Sequence, residues 1–144
     1  MAAGSFNVYD VWKAEIGDNG GQMSSVTFMM VMVTSGYTPA LASDLSSTGN
    51  STYSVSAVDG SLSATPHALT NTEWSAVGSN TYRFDADDAT FTYSAVTANK
   101  YGVIYRKSDG KLVAYCDLET GAGSGIEATK VIIQFSANGI FSIA

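Results

Sequence analysis

This chain is short of charge, of cysteine, of histidine and of long apolar runs, and each shortage removes a class of protein. Charged residues fill 14% of its 144 positions, against about 25% in an average soluble domain. Seven are basic and scattered, with only Arg106 and Lys107 adjacent. Binding to DNA or RNA draws on clustered Lys and Arg that displace counterions, so no nucleic-acid partner is expected. A net charge of −6 and a pI near 4.4 point the same way. A single cysteine, Cys116, excludes an internal disulfide and a cysteine-based zinc site. The longest largely apolar stretch, Val26 to Val33, is eight residues with Thr27 among them, far below the roughly 20 that a membrane helix needs. The opening MAAGSFNVYD shows no basic stretch leading into an apolar one. A protein made in the cytoplasm, with no export signal and no membrane partner, is therefore expected.

What is present is a β-protein of domain size. Apolar residues reach 45% and aromatic residues 11%, enough to build a core in one domain spanning 1–144 without metal or disulfides. With so little charge, the polar surface must come from Ser, Thr and Asn. Tyr101 to Arg106 and Leu112 to Leu118 are apolar runs joined through Asp109-Gly110. Lys130 to Phe135 precedes Asn138-Gly139 and a last strand, Ile140 to Ile143. Asp-Gly and Asn-Gly tolerate the positive φ that tight hairpin turns require, so both pairs read as hairpins. Tyr53 to Val58, Tyr82 to Asp85 and Thr90 to Tyr93 add short strands, with Trp74 as an anchor in the poorly legible stretch from Pro66 to Asn80. The pattern predicts an all-β antiparallel sandwich of jelly-roll or Greek-key type with little helix.

Val26 to Thr34 is the clearest strand, and it is apolar on both faces. Phe28, Met30 and Met32 alternate with Met29, Val31 and Val33, so it should be central and covered twice. One cover is the partner sheet; the other is either a terminal segment or a neighbouring subunit. Phe6 to Ile16 reads equally as a short amphipathic helix or an opening strand, and 1–20 as a partner-contacting arm. Interface candidates follow from these segments: Phe6, Tyr9, Trp12, Met29, Val31 and Tyr37. The expected core comprises Phe28, Met30, Met32, Ile104, Leu112, Ala114, Val131, Ile133 and Phe135.

No catalytic set can be assembled. His67 is the only histidine and the only base a serine or cysteine nucleophile would have, and no G-x-S-x-G elbow occurs. Cys116 alternates with Leu112, Ala114 and Leu118, which places it on an apolar face as a small hydrophobe. Asp85, Asp87 and Asp88 are the one weak metal candidate, since carboxylates two apart can share Ca²⁺, but Asp also shapes tight turns. The turn is the preferred reading, with no metal or other cofactor. Gly121 to Gly125 lacks the lysine of a P-loop and reads as a loop. Tyr37, Tyr53, Tyr93, Tyr101, Tyr105 and Trp12 offer rings for stacking sugars, although aromatic residues equally suit strands and interfaces.

Three blocks, in order, carry a resemblance: FMMVMVTSGYTP from Phe28 to Pro39, FDADDATFTYSAVT from Phe84 to Thr97, and Tyr101 to Leu118 running on to the closing SANGIFSIA. They resemble a family of small structural proteins of tailed-bacteriophage virions, encoded among head genes. The resemblance implies a capsid cement or decoration protein, a jelly-roll sandwich that clamps the outside of an HK97-type shell. It implies the major capsid protein as partner, a homodimer or homotrimer, a place on the capsid exterior, and no enzymatic activity. A tail or adsorption component with a carbohydrate- or receptor-binding sandwich is the alternative.

Overall fold

A computed structural model of the chain describes residues 5–19, 26–39, 63–119 and 123–143. The strand expected from Tyr53 to Val58, and with it the stacking candidate Tyr53, lies outside them. The described residues form an antiparallel all-β fold with one short helix.

The first segment is both things its sequence allowed. Phe6–Val8 is strand β1 and Asp10–Asn19 is helix α1. Asp10 opens the helix, where a negative charge suits the dipole. Trp12 and Ile16, four residues apart on one side, pack into the core. The remaining strands are β2 (Phe28–Val33), β3 (His67–Ala68), β4 (Glu73–Gly78), β5 (Thr81–Asp85), β6 (Ala89–Asn99), β7 (Tyr101–Arg106), β8 (Leu112–Asp117), β9 (Ile126–Ile133) and β10 (Phe141–Ile143).

These strands make a five-stranded sheet in the order β1-β8-β7-β2-β3, a three-stranded sheet β10-β5-β4, and a ribbon β6-β9. The β7–β8 hairpin forms as expected, with Gly110 at φ 71°. The other turn pair does something different. Gly139 takes φ 87°, but β9 pairs with β6 while β10 pairs with β5. Asn138-Gly139 therefore turns the chain from one sheet to another, joined only by a bridge from Ser136 to Gly139. The acidic corner makes a second such switch, between β5 and β6. Strand β6 is longer than its alternation indicated, because a bulge between Thr92 and Thr97 breaks the register.

One core cluster joins all three sheets. Phe28, Met30, Met32, Ile104, Ala114 and Cys116 come from the inner face of the five-stranded sheet. Phe84 and Phe141 come from the three-stranded sheet, and Phe91, Val131 and Ile133 from the ribbon. Trp12 meets Phe28 edge-on at 5.7 Å, and Phe28 meets Phe84 at 4.9 Å. Eight of the nine expected core residues are buried; Phe135 is half-buried at the rim. Trp74 is also only partly buried, stacked beside Tyr82 at 5.9 Å.

Candidate functional site

The outer face of the five-stranded sheet gathers four of the six interface candidates. Val31 and Val33 of β2 and Val103 and Tyr105 of β7 form its floor, with Tyr9 and Leu112, all buried. Met29, Tyr37, Tyr101 and Tyr115 pack on that floor and stay partly exposed. Alternation on the strands sets this up: Tyr101, Val103 and Tyr105 take the outward positions of β7, and Tyr115 lies opposite Val103 on β8.

Four tyrosines run across this face in a chain of ring contacts. Tyr9 meets Tyr115 at 5.5 Å, Tyr115 meets Tyr101 at 6.0 Å and 82°, and Tyr101 meets Tyr37 at 6.2 Å and 87°. The Tyr9 and Tyr37 hydroxyls share a hydrogen bond. Burial raises the Tyr115 phenol above its ordinary value, with Tyr101 and Asp117 adding to the rise. The Tyr115 phenol therefore stays neutral at physiological pH, with a hydroxyl that can donate and accept. At the margin, the Lys100 ammonium lies 2.9 Å from Asp117 and 5.5 Å from the centre of the Tyr101 ring. A face of this kind is amphipathic and weakly charged, suited to shape-matched contact with another polar, uncharged surface.

Three interface candidates are corrected to core. Tyr9, Trp12 and Val31 are fully buried within the chain. Trp12 packs into the inner core, whereas Tyr9, just after β1, packs with Val31 and Val33 on the outer face of β2. The second cover is thus, at least in part, a terminal segment. Phe6 belongs to neither the floor nor the tyrosine chain: it sits on edge strand β1, with its ring 5.8 Å from Phe135.

The other candidates have structural tasks. Asp85 accepts from the Ala86 amide at 2.9 Å. Asp87 accepts from Thr70 at 3.2 Å and Asn71 at 2.6 Å, and Asp88 from the Phe135 amide at 2.9 Å. The three carboxylates thus tie three different backbone segments, and no metal-holding group of His, Cys, Asp or Glu occurs among the described residues. Cys116 is buried, and loss of hydration pushes its thiol up to about 12. His67 pairs with Met30 at the sheet edge, its ring 5.8 Å from Phe91.

Sequence reading missed a charged cluster at the end of the β7–β8 hairpin. Arg106 grips Asp109 through two bonds of 3.0 and 2.5 Å and Glu15 through one of 2.9 Å. Lys111 adds 2.6 Å to the other Glu15 oxygen, and the Arg106 guanidinium lies 5.2 Å from the centre of the Trp12 ring. The Lys111 hydrogen bond leads in holding Glu15 below its ordinary value, against burial. This cluster pins α1 to the hairpin. Glu15 stands more than 90 residues from Arg106 and Lys111 in sequence, so no local pattern announces its part in the cluster.

No helix among the described residues is long and apolar enough to cross a membrane. No protein-family model, curated protein or solved structure matches this chain.

Proposed function

We propose that this chain is a non-enzymatic virion structural protein that binds the outer surface of an HK97-type phage capsid and stabilises it as a cement protein. The observation that carries the reading is the tyrosine chain Tyr9–Tyr115–Tyr101–Tyr37 on an otherwise charge-poor sheet face, together with the resemblance of the three sequence blocks to phage head proteins. Tyrosine supplies large contact area at low entropic cost, and its hydroxyl finds partners on a polar surface. A protein that binds the assembled lattice and not the free subunit stabilises the lattice by mass action. The major capsid protein is the partner in this reading. A dimer or trimer of the chain belongs to it too, with Val77, Tyr82, Val96 and Ile132 as apolar side chains exposed for contact between copies.

Particles made without this protein test the proposal. They should assemble, yet release DNA at a lower temperature or under milder osmotic shock. Binding of the purified chain to bare shells should depend only weakly on salt, because charge steering has little to act on. The partly exposed Tyr37, Tyr101 and Tyr115 would stack on sugar rings in the alternative role, a tail component that binds carbohydrate or a receptor. Equal robustness of the depleted particles, combined with failed adsorption to cells and a low copy number, would favour that alternative.

A further inference from the structure

Among the described residues, β1 is an edge strand that pairs with β8 alone. Tyr9 donates its amide to the Val113 carbonyl at 3.0 Å, which sets the phase of the β1–β8 ladder. With Asn7 opposite Tyr115 and Val8 opposite Ala114, Asn7 shares the bonded phase of Tyr9, and Phe6 and Val8 occupy the alternate positions. The N–H and C=O groups of Phe6 and Val8 therefore point away from β8, toward an edge that no other described strand pairs. Native edges are usually blunted by lysine, proline or a bulge. Phe6-Asn7-Val8 carries none of these.

Beside that edge lies a groove of about 390 Å³. Phe6 and Val8 form one wall, and Phe135, Ile140, Phe141 and Ser142 the other. The second wall includes β10, itself the edge of the three-stranded sheet. None of the residues that line the groove is charged, in a chain whose net charge is −6. A charged side chain entering it would lose hydration and gain no counter-ion.

We infer that the β1 edge takes up an extended, uncharged peptide segment of a partner protein as an added strand, with alternate apolar side chains seated in this groove. Main-chain bonds to Phe6 and Val8 hold the segment, and the pocket selects its side chains. The inference deepens the capsid reading and rests on it only for the identity of the partner.

Two full-length variants test it. Val8→Pro removes an outward N–H without removing a ladder bond, since the Val8 amide points away from β8. Ser142→Glu places a carboxylate on the groove wall at an exposed position. The probe is a capped peptide of alternating threonine and valine, followed by amide exchange and titration. In the unaltered chain the peptide should slow exchange at Phe6 and Val8. Each variant should bind it about tenfold more weakly, the equivalent of one lost hydrogen bond or one unpaired buried charge. No protection at these amides, or equal binding by both folded variants, overturns the inference. Bare shells provide the second arm. Shell binding that survives both variants overturns the assignment of this edge to the shell and leaves the capsid reading standing. Peptide uptake by a chain that ignores bare shells defeats the capsid reading alone.

Discussion

The two faces of the five-stranded sheet are built from the same strands and follow different rules. Inward, Phe28, Met30, Met32, Ile104 and Cys116 meet residues from every other sheet and are fully buried. Outward, Tyr37, Tyr101 and Tyr115 rest on a floor of valines and stay partly exposed. A one-residue step along β7, from Ile104 to Tyr105 or from Tyr101 to Gly102, moves from one regime to the other. Gly102 shows how tight the inner regime is, since a Cβ there would stand 2.4 Å from the end of Met30 and 3.2 Å from the Cys116 sulfur. The inner face is packed throughout, whereas the outer face ends in a partly exposed layer over its own buried floor.

Truncation on each face gives the sharpest test of that contrast. Phe28→Ala removes a fully buried ring that touches Trp12 and Phe84, and should cost about 3–5 kcal/mol in urea unfolding. Tyr101→Ala on the outer face should cost about 1 kcal/mol or less, as expected for a half-exposed side chain outside the main core, while weakening attachment to bare shells. Equal losses from the two variants would show that the outer face is core as well.

Next in size is the charged cluster that holds α1 against the β7–β8 hairpin. Glu15 and Asp109 both titrate below their ordinary values, Glu15 chiefly through its bond from Lys111 and Asp109 chiefly through its bond from Arg106. A carboxyl group lowered in the fold adds stability that is complete above its unfolded value, and that stability is lost as pH falls through the lowered folded value. The chain should therefore hold constant stability from neutral pH down to the ordinary carboxylate range, then weaken below it. Glu15→Gln should cost about 1–3 kcal/mol at pH 7, as for the loss of a hydrogen bond to a charged group, and should flatten the acid limb of the melting curve. An unchanged acid limb in that variant would remove Glu15 from the account.

How much of this was legible depends on the sequence distance over which each feature is decided. The β7–β8 hairpin was readable because Asp109-Gly110 and the flanking alternation are local, and the structure pairs Ile104 with Ala114 across it. The inner face of β2 was readable for the same reason. Pairing after Asn138-Gly139 was not: the turn forms, but Ile140 bonds to the Phe84 carbonyl in another sheet, more than 50 residues earlier in the chain. The candidate site was legible in half. Met29 and Tyr37 belong to the partly exposed layer, whereas Trp12 is buried in the inner core and Tyr9 and Val31 are buried together beneath that layer. Tyr115 was not singled out, although its place between the inward Ala114 and Cys116 was the signal for it.

Smaller still is the chemical silence expected of Cys116. A thiol that burial pushes up to about 12 carries almost no thiolate at pH 8. Alkylation by iodoacetamide should be undetectable in the folded chain and fast in urea. Rapid labelling of the native protein would mean that the inner face opens far more readily than its packing implies.

The smallest expected effect is none at all, at the acidic corner. If Asp85, Asp87 and Asp88 held calcium, saturating ion would stabilise the fold by about 2.7 kcal/mol at a hundredfold excess over Kd, a readily visible rise in Tm. Their carboxylates are spent instead on the Ala86 amide, on Thr70 and Asn71, and on the Phe135 amide. These bonds place the switch between β5 and β6 and fasten Phe135 beside the groove. Calcium and chelator should leave Tm where it is, whereas Asp88→Ala should loosen the Phe135 segment and speed exchange of its amide. A calcium-dependent rise in Tm would mean that the three carboxylates leave those partners and converge on an ion.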